Sequence, residues 1–429
     1  KDVFFLKYNN KSTILTFLAI LLDHFFLDSY IIDLLAFSCY FFPVTNLTKI
    51  RRMILLSKKI LFVYNEVSKK YKYGLFRECT LDTDVQAIRE ALMKTKCHIL
   101  SLDLYNPEQL ENFITKNYPI DFAFVLAEGY KDDPHSLYNG YGAARIRKQL
   151  KKHNIPSSHA SIESMEICRN KDITYQKLQE NNIPVPKHFV FNPHYRFQKN
   201  QLLQEINRIG YPLMIKPAGG GDSIGITPKS VVHNLMELKN KIDYLKRTLG
   251  LEKLIIEQYL PGQEFTVGVL GNDTKYILPI IAFPENWGIR YTRTKNKEYR
   301  MQNQFKIIGQ RHPLFSSLVD ISVRSFIAVK ASDIIRLDIK KDQEGNLYVI
   351  DINGTPSLSL HGSVTFMASK VGLSHSQLIK IIFYESMVRN NLVPSQYLEE
   401  LVNPLKERLY PYEGNQLIEV FPDDQDYLD

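Results

Sequence analysis

The chain of 429 residues is long enough for two or three domains, and its 44% hydrophobic and 23% charged content excludes a disordered or fibrous polymer. Its net charge of +8 is scattered through short runs ("KIRR", "SKKYK", "RIRKQLKKH") that read as solvated faces, and no nucleic-acid motif accompanies them. Cys39, Cys79, Cys97 and Cys168 show no paired spacing, which argues against a disulfide framework or a zinc site and for a reducing cytoplasm.

Residues 1–56 are strongly apolar, but Asp23, Asp28 and Asp33 interrupt them. The longest uncharged runs, 14–22 and 34–44, fall short of the ~20 residues that a spanning helix needs. No basic start or small-residue cleavage site marks a signal peptide. Three readings stay open: a helix for a membrane surface or a partner, an extra packed segment, or an upstream extension of the reading frame. We expect the extension, because Met53 stands just before the first clean strand. Membrane contact is expected only if the segment is authentic.

Residues 57–160 alternate strands with helices. "ILFVY", "HILSLDL" and "FAFVLAEG" read as buried strands. Between them lie a helix capped by Asp82 or Thr83, with Val85, Ile88, Ala91 and Leu92 on its apolar face, and a helix opened by Pro107. That order predicts right-handed crossovers and a parallel sheet. Ligands of such sheets sit beyond the carboxyl ends of the strands, here near Asn65, Glu66 and residues 127–129.

A helical region (139–153, then about 172–182) leads into a different texture. From about Phe189 the pattern is antiparallel strands with helices between them. "PLMIKPAGGGDSIGI" reads as strand, glycine loop and strand, and "LIIEQYLPGQEFTVGVLG" as two strands around a Pro-Gly turn. "KYILPIIAF" is one more strand, followed by a helix near 312–330, a hairpin over 333–354 and a helix near 374–389. The fold class is therefore α/β and α+β: an N-terminal parallel-sheet domain, then antiparallel sheets. Residues 391–429 are expected to form an acidic C-terminal tail, loosely packed from Glu413 to Asp429.

Three constellations carry chemistry. "GGGDSIG" (219–225) follows Lys216 directly; it lacks the Gly-Lys-Ser/Thr of a Walker A loop and is a poor dinucleotide fingerprint. Glycines there suit either a tight hairpin or a mobile loop offering N–H groups to phosphates, with Lys216 neutralising their oxygens. Glu257 and Gln258 end one strand and Glu264 opens the next; these are surface acids flanking a turn unless they face a nucleoside. In the hairpin, "RLD" puts Arg336 and Asp338 on one strand face, and "DIN" puts Asp351 and Asn353 on one face of its partner. Oxygen ligands gathered in this way suit Mg²⁺ completed by substrate phosphates, the other reading being a salt bridge of Arg336 with the two acids.

The order of these features, with "CRNKDITYQKL" ahead of them and "VIDINGTPSLSLHG" behind, resembles the ATP-grasp superfamily and, within it, D-alanine–D-alanine ligase and its relatives. The likeness runs from about Lys59 to Arg389. It implies a pre-ATP-grasp domain (57–160), a central lobe with the glycine loop (161–255) and a C-terminal lobe with the metal site (256–390). It further implies that Lys171 and Lys216 bind nucleotide phosphates, that Ser223 covers them, and that Glu257, Gln258 and Leu260 hold adenine. Glu264 would bind ribose, and Asp338, Asp351 and Asn353 would hold one or two Mg²⁺ or Mn²⁺. Arg336 would stabilise the acyl-phosphate intermediate, and Lys295 or Lys297 would reach the γ-phosphate.

The substrate-facing positions depart from that family. Glu66 is a candidate where the family's Gly-Gly, Ser and Glu pattern would hold the first substrate's amine, and "LAEGYKDD" replaces a histidine and glycine-rich turn. Asp222 stands where a serine is expected; it either pairs with a substrate ammonium or faces solvent. Ser357 replaces the glycine of the oxyanion hole, Gly362 replaces the serine for the acceptor carboxylate, and His361 lies beside it as a further substrate-binding candidate. The resemblance implies an ATP-dependent carboxylate–amine ligase that joins small amino-acid-like substrates through an acyl phosphate, with a homodimer by analogy. The alternative is a nucleotide-binding protein without ligase activity.

Overall fold

The computed structural model describes residues 58–138, 141–192, 199–221, 223–250, 253–290, 304–413 and 416–417. The expectations for residues 1–56 and for the acidic end beyond 417 lie outside them.

Strand β1 (Lys59–Tyr64) leads to a short parallel pair, β2 (Glu66–Val67) with β3 (Thr80–Leu81), and then to α1 (Asp82–Met93), β4 (His98–Asp103), α2 (Pro107–Asn117) and β5 (Phe122–Val125). The strands pair in parallel in the order β4-β1-β5. Period-two alternation divides β1 between two cores. Ile60, Phe62 and Tyr64 meet Val85, Ile88 and Leu92 of α1, whereas Leu61 and Val63 join Leu110 and Ile114 of α2. Asn106 caps α2 by accepting from the Gln109 amide at 2.8 Å, with Pro107 in the first turn.

Four helices follow: α3 (Pro134–Tyr138), α4 (Tyr141–Lys152), α5 (Ile162–Cys168) and α6 (Lys171–Glu180). The smaller antiparallel sheet comes next, with β6 (His188–Phe191), α7 (Lys199–Ile209), β7 (Leu213–Pro217), β8 (Val231–Val232), α8 (Leu235–Leu249) and β9 (Leu254–Gln258). Its order is β6-β9-β7-β8, covered by Ile206 of α7 and by Leu238, Ile242 and Leu245 of α8. The strand expected directly after the glycines starts only at Val231. Gly220, Ser223 and Gly225 all have positive φ, which an extended ladder cannot accommodate.

The larger sheet holds eight strands among the described residues. Along the chain come β10 (Glu264–Gly271), β11 (Lys275–Ile277), β12 (Ile280–Ala282), β13 (Lys306–Ile308), α9 (Phe315–Ala328), β14 (Ile334–Lys341) and β15 (Leu347–Asn353). Then follow α10 (Ser363–Lys370), α11 (His375–Arg389), α12 (Gln396–Lys406), β16 (Tyr410–Glu413) and β17 (Gln416–Leu417). β9 and β10 are not a hairpin: each pairs within its own sheet, and residues 259–263 carry the chain across. "KYILPIIAF" is two strands, because Pro279 has no N–H for a ladder.

Part of the segment expected as an acidic tail from residue 391 is a packed helix. In α12, Leu398, Val402 and Leu405 form one apolar stripe and share a core with Ile379 and Ile382 of α11.

Asp333, fully buried just before β14, ties these parts together. It accepts from the His159 amide at 2.7 Å, Asn272 Nδ2 at 3.1 Å and Arg389 Nε at 2.7 Å, and from the Ser386 hydroxyl. Removing one partner of such a pair leaves the other charge buried without compensation. Asp333→Ala should therefore destabilise the fold by about 3–5 kcal/mol in urea or thermal unfolding.

Candidate active site

The site is built on the alternation of β14. Ile335, Leu337 and Ile339 are fully buried in the sheet's apolar core, so Arg336, Asp338 and Lys340 occupy its other face. β15 pairs antiparallel with β14, with Asp338 opposite Asp351 and Arg336 opposite Asn353. The register then skips Ile350, since Ile339 faces Val349. This β-bulge leaves Val349 and Leu347 in the core while turning Asp351 and Asn353 to the face of Asp338. The bulge also frees the Ile350 carbonyl from the ladder, and Lys216 Nζ donates to it at 3.0 Å.

Lys216, from β7, is buried with its ammonium 2.8 Å from Glu257 Oε1 of β9 and 2.9 Å from the Tyr175 hydroxyl. Burial and the nearby Glu257 charge push the Tyr175 phenol well above its ordinary pKa, so it stays protonated and donates to Glu257 at 2.9 Å. Lys171 opens α6, donates to the Gly220 carbonyl at 2.9 Å and lies 3.2 Å from Asp351 Oδ1. Burial acts to raise the Asp351 pKa and Asp338 adds to it, yet Lys171, Lys216 and Arg336 outweigh both and hold it below the ordinary 3.8.

Lys171, Lys216, Glu257, Asp338 and Asp351 line a cleft of about 810 Å³, its solvent-filled mouth included, between the smaller sheet, the glycine loop and the larger sheet, whereas Tyr175, Arg336 and Asn353 do not border it. Lys171, Lys216, Ser223, Glu257, Gln258, Leu260, Glu264, Asp338 and Asp351 all border it, so most of the residues singled out in the sequence come together here. Glycine is required at 220, where φ is +83° and a Cβ would lie 2.4 Å from the Tyr138 ring.

Other candidates lie elsewhere. Glu66 sits on β2, where its carbonyl accepts from Lys131 Nζ at 3.4 Å, and it does not border the cleft. Ser357 and His361 are exposed on the loop after β15 and do not border it either. Asp222, Lys295 and Lys297 fall outside the described residues.

Four residues carried no individual signal in the sequence: Lys340 and Arg290, which border the cleft, and Tyr175 and Thr266, which hydrogen-bond to residues that do. Tyr175 lies four residues after Lys171 on the same helix face, and Lys340 continues the alternating row of Arg336 and Asp338; both spacings were visible. Thr266 donates to Asp338 at 2.7 Å and follows the same alternation from Glu264. Arg290, 2.6 Å from Glu264, had no pattern to mark it.

Among the described residues no three or more His, Cys, Asp and Glu side chains gather as a metal group. The oxygen set is two carboxylates across a strand pair plus the Asn353 amide, whose Oδ1 accepts from the Thr355 amide at 3.1 Å. That set fits a hard cation that keeps phosphate and water as its remaining ligands. Arg336 Nη2 lies 3.3 Å from Asp338, while its buried Nε has no partner among the described residues, so one donor is left for a ligand oxygen.

Residues 178–384 match the family model described as D-ala D-ala ligase C-terminus. D-alanine–D-alanine ligase B of Pseudomonas putida is 26% identical over 273 residues, covering 62% of this chain and 77% of that protein. The D-alanine–D-alanine ligase of Bacillus anthracis, solved in complex with ATP, superposes with a TM-score of 0.59 at 20% identity, covering 78% of this chain and 99% of that one. The VanG D-Ala:D-Ser ligase of Enterococcus faecalis gives a TM-score of 0.56 at 20% identity, over 77% and 99% of the two chains.

The Asp351 pKa has a definite consequence. Because the folded value is depressed, its pairing stabilises the protein fully above 3.8 and is lost only as pH falls through the lower folded value. Lys171→Met should move the Asp351 carboxyl titration upward in carbon-13 NMR, and an unmoved titration would refute the pairing.

Proposed function

The chain is an ATP-grasp protein of the D-alanine–D-alanine ligase-like kind, and from that premise we propose how its residues divide the work of an ATP-dependent carboxylate–amine ligase. The observation that carries the division is the convergence of Lys171, Lys216, Asp338 and Asp351, from four different elements, on one cleft. Lys171 and Lys216 neutralise and orient the nucleotide phosphates, and glycine-loop amides around Ser223 cover them. The segment 257–260 receives adenine and Glu264 the ribose. Asp338, Asp351 and Asn353 hold magnesium, which neutralises phosphate charge when bound.

In the reaction, a substrate carboxylate oxygen attacks the γ-phosphorus and ADP leaves. The amine of the second substrate, having lost a proton, then attacks the acyl carbon, and phosphate leaves as the amide forms. The Arg336 Nε left for a ligand oxygen stabilises the oxyanion of that second step. Holding both substrates under the glycine loop supplies proximity and keeps water from the acyl phosphate.

The substrates are small and amino-acid-like, and the altered positions Asp222, Ser357 and Gly362 support a pair other than two D-alanines. Cys79, Cys97 and Cys168 are free thiols, which supports a reducing cytoplasmic setting. Among the described residues no helix is long and apolar enough to cross a membrane.

Phosphate release across a panel of D- and L-amino acids tests this proposal. Turnover with a pair other than D-alanine alone is the expected result. Robust turnover of D-alanine alone would overturn the substrate assignment, and ATP binding with no turnover on any pair would overturn the ligase. Asp351→Ala should abolish magnesium-dependent turnover, about 10³-fold or more, and near-normal phosphate release from that variant would sink the metal assignment.

A further inference from the structure

We propose that Arg290 is an internal counter-ion of the nucleotide cleft, one that holds the metal-binding and ribose-binding acids together until the metal–nucleotide complex displaces it. The inference rests on the roles given above to Asp338 and Glu264. Arg290 is buried, with its Nη1 2.6 Å from Glu264 Oε1, 3.4 Å from Thr266 Oγ1 and 3.9 Å from Asp338 Oδ1. Its guanidinium carbon lies 3.6 Å from the centre of the Phe283 ring, a cation–π contact that holds the plane in place. Its backbone carbonyl accepts from Ser223 Oγ at 3.5 Å, which couples the position of Arg290 to the glycine loop.

The charge geometry gives this contact its meaning. Glu264 and Asp338 stand on adjacent strands of one sheet, with Thr266 opposite Asp338 in the β10–β14 register. Both carboxylates are more than 90% buried, where two like charges repel one another unless a cation lies between them. Lys340 approaches Glu264 at 3.5 Å and Arg336 approaches Asp338 at 3.3 Å, each from one side. Arg290 alone among these three reaches both acids. A divalent ion on Asp338 must therefore compete with it. Freed from Asp338, the guanidinium stays inside the cleft as a donor for the nucleotide that enters with the metal.

The test is metal binding without nucleotide or turnover. Mn²⁺ is titrated into the full-length protein by electron paramagnetic resonance, with ATP binding followed separately by calorimetry. Arg290→Met should bind Mn²⁺ more tightly than the native chain, on the order of fivefold, because the competing charge is gone. Arg290→Lys should keep near-native Mn²⁺ affinity, since it restores the charge, and it serves as the control should the methionine variant fold poorly. Unchanged or weaker Mn²⁺ binding by folded Arg290→Met would overturn the inference, as would Arg290→Lys binding as tightly as Arg290→Met. A native chain that binds neither Mn²⁺ nor ATP would instead overturn the nucleotide-site reading, and this inference with it.

Discussion

The cleft depends on one irregularity in an otherwise regular strand pair, the bulge at Ile350. A strand with strict period two would send Leu347, Val349, Asp351 and Asn353 to the same face. Two of those side chains belong in the apolar core and two in the polar cleft. Skipping Ile350 resolves the conflict, because the alternation restarts with Asp351 opposite Asp338. The carbonyl released from the ladder is not left unsatisfied, since the buried Lys216 ammonium donates to it at 3.0 Å. One local distortion thus aligns the two acids and positions a cation from the facing sheet.

Around that feature the cleft balances its own charges. Glu257 pairs with Lys216, Asp351 with Lys171, Glu264 with Arg290 and Lys340, and Asp338 with Arg336 and Thr266. Buried acids without these partners would carry a desolvation cost of several kcal/mol each. Each pairing sets a positive or hydrogen-bonding group against a carboxylate, so the charges of the cleft compensate one another.

Much of this was legible in the sequence because it follows from period and spacing. The alternation in "RLDI" and "DIN" placed Asp338 and Asp351 on matching faces, and the strand–helix alternation before residue 130 gave the parallel sheet. Pairing across distance was not legible. The run "LIIEQYLPGQEFTVGVLG" looks like a hairpin locally, but β9 finds β6 and β7 while β10 finds β14, choices set by packing far along the chain. Arg290 was invisible for the same reason: one arginine among basic neighbours carries no period, and its role exists only once Glu264, Thr266 and Phe283 surround it. The helix α12 was overlooked for a different reason, in that the acidic composition of the chain end masked the Leu398, Val402, Leu405 stripe.

A second charged cluster lies beneath the glycine loop. Arg169, buried under the glycine loop, forms ion pairs with Glu78 at 3.5 Å and with Glu128. A Cβ at Gly221 would lie 2.6 Å from Glu78 Oε1, so the loop rests directly on this cluster. Arg147, also buried, donates to the Ala143 and Ala160 carbonyls and approaches Thr355 Oγ1 at 3.5 Å. Glu78, Glu128 and Arg169 come from helix ends and loops and Arg147 from the middle of α4, none of them from the β14–β15 pair. Arg169 is not independent of the cleft acids, because the nearby Asp351 carboxylate helps to hold its buried guanidinium charged. The glycine loop therefore rests on charges that are coupled to the cleft, so replacing Arg169 would disturb both the support of the loop and the charge balance around Asp351.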